Sequence, residues 1–294
     1  MVHPTQRHAH PLARPLFVPF ALAALLACAL PAYAQQARLT HADAPARLIR
    51  KTTVYDAPAG TSLSPGDLVI TGATGAQLEW PAGVTVRLGP GSGIVVDEAA
   101  AAPAVTVLRG WVKVAAAGRL NVAAGAVDVG AAAGSGIVHV DGDRTELFVE
   151  QGAMTATVTE QAGAAVAAPV TVGREQYALY LPAQGLQASP RAPRPFVAAM
   201  PPGFFDPLVA VGARVKPAEP VQLRDATPSD VAFWNDAAAP VRKQLAVRFA
   251  PRLLDPAFRA GAATVLANQP EWRQPVRDSA PARKPSNTLS NTLF

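Results

Sequence analysis

From about Val54 to Leu181 the chain is a succession of short runs of Val, Ile, Leu and Thr, each soon cut off by Gly, Pro or Asp. A helix of ordinary length does not fit between such breaks, whereas strands and tight turns do, so this part of the chain is confined to an all-β fold. The stretch Gln77–Leu88 shows the logic of one hairpin. Leu78 and Trp80 share a face with Val84, Val86 and Leu88 across the turn Pro81-Ala82-Gly83. Gln77, Glu79, Thr85 and Arg87 point the other way, because successive side chains of a strand alternate.

A short internal repeat follows: Gly110-Trp111-Val112-Lys113-Val114, Gly118-Arg119-Leu120-Asn121-Val122 and Gly125-Ala126-Val127-Asp128-Val129. Each reads glycine, any residue, apolar, polar, valine. Rungs of a short β-coil and strands of a β-sandwich would both bury such a Val/Leu face, and the spacing fits either.

On either side of this β-domain the composition changes. Residues 35–53 read as a lead-in, and 182–220, rich in Pro, Ala, Arg and Gln, read as a linker unable to hold a continuous sheet or helix. From 221 to 277 the period becomes helical. Thr227 caps a helix that starts on Pro228, with Asp230 in its first turn, and Asp255-Pro256 repeats the device. Phe258, Ala262, Val265 and Leu266 fall on one face, as do Val241, Leu245 and Phe249. Such short helices need a surface to dock on. Residues 278–294 have the composition of a disordered tail.

Residues 1–34 carry the three parts of a secretory signal. Arg7, Arg14 and three histidines come first, without an acidic residue; then the apolar run Leu16–Leu30; then the small-x-small exit Ala32-Tyr33-Ala34 before Gln35. Cleavage between Ala34 and Gln35 is the expectation. A lipoprotein anchored at Cys28, after Leu25-Leu26-Ala27, and an uncleaved N-terminal anchor are the minor alternatives. Cleavage removes Cys28, the sole cysteine, and leaves only His41 and His139, so thiol chemistry, histidine metal sites and a histidine-dependent triad lack material. The formal charge of +5 loses two arginines, and the remaining basic residues are scattered, so nucleic acid is not an expected partner. Nothing after the signal is long and apolar enough for a stable membrane span.

The motifs that invite chemistry have plainer readings. Gly89-Pro90-Gly91-Ser92-Gly93 lacks the Lys-Ser/Thr and the following helix of a phosphate loop and reads as a turn. Asp141-Gly142-Asp143, with Glu146 nearby, lacks the other ligands of a calcium loop and reads as a hairpin turn. No catalytic residue, metal site or cofactor is expected. Trp111 and Lys113 stand out: with Val112 and Val114 facing the core, both face outward side by side, an arrangement that could stack on a sugar or seat a protein. The competing expectation is that the C-terminal helices cover that face.

The succession Leu63–Thr71, Gly75–Leu78, Gly83–Ser92, Leu108–Val114 and Phe148–Gly152 resembles the FecR-like domain, a periplasmic module of iron-uptake regulators, over roughly residues 55 to 160. Asp230–Trp234, Asp255–Arg259 and Pro270–Trp272 are similar to an extension found behind some such domains. The resemblance implies a β-sandwich or short β-coil with a small helical C-terminal segment. The regulators also carry a cytoplasmic sigma-factor-binding domain and a transmembrane helix ahead of this module. Fifteen residues precede the apolar run here, too few for such a domain. The expectation is an exported or periplasmic, non-catalytic binding module that recognises an envelope protein or glycan. An envelope hydrolase with an unrecognised carboxylate site, and a structural accessory of a secretion or outer-membrane assembly, are the alternatives.

Overall fold

The alternation of apolar and polar residues turns into strand pairing residue by residue. A computed structural model of the chain describes residues 36–97, 102–159, 168–237 and 239–279, all within the unit Gln35–Phe294. The signal, with Cys28 and the Ala34–Gln35 junction, and the tail from residue 280 lie outside the described residues.

The chain begins with β1 (Arg38–Ala42), β2 (Ala46–Arg50) and β3 (Thr53–Ala57). Next come β4 (Leu68–Ile70), β5 (Ala76–Trp80), β6 (Val84–Leu88), β7 (Gly93–Val96) and the long β8 (Ala104–Ala116). β9 (Leu120–Ala124), β10 (Val127–Asp141), β11 (Arg144–Val158), β12 (Val170–Gly173), β13 (Tyr177–Leu181) and β14 (Gly185–Ser189) complete the run. After α1 (Arg194–Ala199), β15 (Val221–Asp225) returns to the sheet, followed by α2 (Pro228–Val231), α3 (Ala239–Phe249), α4 (Pro256–Val265) and α5 (Pro270–Asp278).

Among the described residues fifteen strands form one mixed sheet, ordered β14-β13-β11-β10-β9-β8-β7-β4-β2-β3-β15, with β1, β5, β6 and β12 joined beside this path. β8 is the seam. Up to Arg109 it pairs with β7 and, in parallel, with β9; from Gly110 onward it pairs with β6 and β10. The corner falls on Gly110, whose φ of +86° is a conformation that residues with a Cβ rarely adopt. The sheet thereby curls around one core, into which all three glycine-led repeats send their apolar positions: Val112, Val114, Leu120, Val122, Val127 and Val129. In the Gln77–Leu88 hairpin, Leu78 pairs with Val86 and Trp80 with Val84, and all of these are buried.

Two outward faces are covered by the chain itself. Ile49, Val54, Leu68, Val95 and Leu108 meet Val231, Trp234, Leu245, Phe249, Phe258, Leu266 and Trp272 of the helical segment. A fully buried Leu or Phe contributes about 1.5–3 kcal/mol, so this docking is what lets helices of four to eleven residues persist. The second cover is a strap drawn from residues 194–212. Phe196 on α1, Met200 and Phe204 are buried against Ile137 and Tyr177.

That strap corrects the reading of 182–220 as a structureless linker. β14 pairs with β13 across a turn that Gly185 closes at φ +69°, and Pro195 lies in the first turn of α1, where a missing N–H costs nothing. Average composition concealed three large apolar residues spaced four apart. The lead-in likewise holds β1 and β2, with Leu39, Leu48 and Ile49 buried.

The helix start at Thr227 is locked by charge. The Asp230 carboxylate accepts from the Thr227 N–H (2.8 Å) and hydroxyl (2.6 Å) and, bidentate, from Arg224 (2.6 and 2.8 Å). Burial pushes this carboxyl up, but Arg224 and Thr227 outweigh it and hold it at about 2, against an ordinary 3.8. A depressed folded value means stability that is present above the ordinary value and is lost as pH falls toward 2. Asp230→Asn is therefore expected to cost about 2 kcal/mol in urea unfolding at pH 5. That deficit should shrink steadily between pH 4 and pH 2; a deficit independent of pH would refute the charge-based account.

Candidate functional site

The face beneath the strap gathers the residues with the most chemistry. Antiparallel register sets Trp111 of β8 opposite His139 of β10, His139 opposite Glu146 of β11, and Glu146 opposite Leu179 of β13, one row across four strands. The Trp111 ring stacks on the His139 imidazole, with centroids 4.0 Å apart and planes 15° from parallel. His139 Nδ1 lies 2.8 Å from Glu146 Oε2, while Glu146 Oε1 accepts from the Tyr177 hydroxyl (2.5 Å) and Arg144 Nη2 (2.7 Å).

Electrostatics fixes the protonation of Glu146 and Tyr177. Burial raises the Glu146 carboxyl, yet His139, Tyr177 and Arg144 together outweigh it and leave the carboxyl below its ordinary value. Burial, and then the adjacent Glu146 carboxylate, hold the Tyr177 phenol well above its ordinary range. Glu146 thus sits as an ionised, three-fold acceptor and Tyr177 as a fixed donor. Such an arrangement orients the side chains around Glu146.

The next row belongs to Lys113, and here the sequence expectation needs correction. Lys113 does share a face with Trp111, but it is 1% exposed. Its ammonium donates to Glu150 Oε1 (2.7 Å) and to the carbonyls of Phe204 (2.6 Å) and Asp206 (2.9 Å) in the strap. Trp111 is half-buried against Phe196, with ring centroids 5.1 Å apart. The outward pair expected at Trp111 and Lys113 is therefore covered, and by the strap rather than by the C-terminal helices.

Two more side chains of the same outward set fasten the strap. Gln77 Nε2 donates to the Val209 carbonyl (2.9 Å), and the Glu79 carboxylate accepts the N–H groups of Val211 (2.8 Å) and Gly212 (2.9 Å). Burial raises the Glu79 carboxyl, but Val211, Thr40, Gln77 and Gly212 outweigh it, and it stays ionised below its ordinary value. Gln77, Glu79 and Lys113 had been legible only as the polar side of alternating strands. Nothing in their local pattern announced a covering segment far along the chain.

The two glycine motifs are turns. Ser92 Oγ accepts the Trp111 N–H (3.0 Å) and donates to the Trp111 carbonyl (3.1 Å), tying the Gly89–Gly93 turn to β8. Gly142 and Asp143 join β10 to β11, Asp141 pairs with Arg144, and Gly142 takes φ +54°. Among the described residues no three His, Cys, Asp or Glu side chains stand together as a metal cluster, and no helix is long and apolar enough to cross a membrane.

No family model matches the chain. No curated protein matches it either. Among solved structures it is similar to two crystal structures of a candidate anti-sigma factor from Parabacteroides distasonis, each 14% identical. The first gives a TM-score of 0.37 over 45% of this chain and 62% of that one, and the second 0.36 over 44% and 61%. The chain thus spans about three fifths of the length of the structures it matches.

Proposed function

We propose that the chain is an exported, non-catalytic, FecR-like interaction module of the bacterial cell envelope whose partner is another envelope protein. The observation that carries this reading is the edge strand β15. It pairs with β3 alone at the end of the sheet, and among the described residues no strand lies along its other edge. All five of its residues are exposed, including Val221 at 61% and Leu223 at 49%. Proteins normally blunt such an edge, because free N–H and C=O groups beside apolar side chains are a template for another strand. Adding a partner's strand to a sheet edge is a common way of recognising an extended segment. Export rests on the signal pattern of residues 1–34, and the FecR-like character on the order of the strand motifs between Leu63 and Gly152.

A photo-crosslinking residue at Val221 of the full chain, made in its own bacterium, tests the reading. A single discrete adduct is expected, on a periplasmic chain whose N-terminus is Gln35, and Leu223→Lys should abolish it. The same label at the exposed Gln244 should give none. Retention in the cytoplasm would overturn export; no adduct at Val221, or the same adducts at Gln244, would overturn the edge strand as the interface.

A further inference from the structure

The chain covers its sheet in two places, and the two covered surfaces differ in kind. Beneath the C-terminal helices lie Ile49, Val54, Leu68, Val95 and Leu108, all apolar. Beneath the strap, Ile137, Phe148 and Tyr177 form an apolar patch bordered by Gln77, Glu79, Arg87, Lys113 and Glu146. A permanent cover gains little from burying charge, since apolar residues of similar volume often serve as well or better. A patch framed by ionised and amide groups, by contrast, is one that water also solvates.

The way the strap is held is the second observation. Lys113 donates to the Phe204 and Asp206 carbonyls, Gln77 donates to the Val209 carbonyl, and Glu79 accepts the N–H groups of Val211 and Gly212. In each of these bonds the sheet supplies a side chain and the strap its main chain, so the polar part of the contact is blind to the strap's sequence. Phe196, Met200 and Phe204 supply the part that is not. Both flanks of the strap are fixed independently of it: β14 pairs with β13 as far as Ser189, and the Ala218 N–H donates to the Gly60 carbonyl (3.2 Å). Among the described residues no strand falls within 194–212, so lifting the strap unpairs none. Segments with so few main-chain bonds of their own occupy the low end of local stability.

We propose that the strap is a removable occupant of a groove that reads extended polypeptide, and that an extended apolar segment of a partner protein takes its place. Such a segment offers main-chain carbonyls and N–H groups at regular intervals, which Lys113, Gln77 and Glu79 bind whatever its side chains. Selection comes from large apolar side chains meeting Ile137, Phe148 and Tyr177, with Trp111 half-buried beside them. While the strap is seated the groove is closed. The chain thus inhibits its own binding face, and a partner segment binds only by the surplus of its affinity over that of the strap. The groove lies on β5, β6, β8, β10, β11 and β13, apart from the edge strand β15, and does not depend on the reading of that edge.

Cys28 is the sole cysteine, so the chain from Gln35 carries a single thiol in each of three variants. These are Ile137→Cys beneath the strap, Ile49→Cys beneath the helices, and Val138→Cys in the core one residue along β10. A thiol reagent should modify Ile137→Cys about tenfold or more faster than global unfolding of that variant allows, while the other two follow global unfolding. Equal protection at Ile137 and Ile49 would make the strap a fixed cover and overturn the proposal. The groove itself is tested with the combined variant Phe196→Ala, Met200→Ala and Phe204→Ala, whose own strap no longer seats. That chain should stay folded and capture a fluorescent peptide of residues 194–212, and adding Lys113→Met should weaken capture about tenfold or more. No capture at ~1 mM peptide, capture that Lys113→Met leaves unchanged, or loss of the fold once the strap is unseated would each sink it.

Discussion

Gly110→Ala is expected to unfold most of the β-domain's margin, lowering stability by about 3–5 kcal/mol in urea or thermal unfolding. Two costs add. At φ +86° an alanine occupies a region worth about 1–2 kcal/mol of strain. Its Cβ would also sit 2.5 Å from Ser92 Oγ and 2.8 Å from Ser92 Cα. The second contact is with backbone, so rotating a side chain does not relieve it. Ser92 would have to move, and with it both bonds between its hydroxyl and the Trp111 backbone. Gly118, at the matching place of the next repeat, is the control: its Cβ would meet nothing within 4 Å, and Gly118→Ala should change stability by less than about 0.5 kcal/mol. Equal effects at the two glycines would show that Gly110 is not the corner of β8.

Lys113→Met carries the next largest effect, about 3 kcal/mol. The ammonium has left water for three acceptors, and methionine of similar volume leaves the carbonyls of Phe204 and Asp206 without a donor inside the protein. Glu150 is partly open to solvent, with its side chain 23% exposed, and so loses less. Glu150→Ala should accordingly cost less than Lys113→Met. Because the lost bonds belong to the strap, the variant should also become sensitive to proteolysis between Arg194 and Gly212 well below its unfolding temperature. A surface lysine, as the residue reads from its neighbours alone, would give neither result.

The contrast between those readings shows what the sequence discloses. The Gln77–Leu88 hairpin and the caps at Thr227 and Asp255 were legible because their determinants lie within a few residues of one another. Alternation also separated Trp111 and Lys113 from Val112 and Val114 correctly. It could not say what lies over them, because Phe196, Met200 and Phe204 reach that face through tertiary contact only. The C-terminal helices, expected there, dock instead on Ile49, Val54, Leu68, Val95 and Leu108. His139, Glu146 and Tyr177 meet only through strand register, so none of them carried a signal of its own.

The return of β15 to β3 also bears on how the chain is made. Val221 pairs with Asp56 and Asp225 with Thr53, so the first hairpin of the sheet waits for its neighbour until about three quarters of the chain exists. At about 5–20 residues per second of synthesis that interval is roughly 10–30 s. Throughout it the outer edge of β3 is bare, and every copy of the nascent protein offers its neighbours a matching strand. Crowded synthesis should therefore favour exchange of β15 between copies, and a factor that shields extended chain until release would be needed most by this part of the molecule.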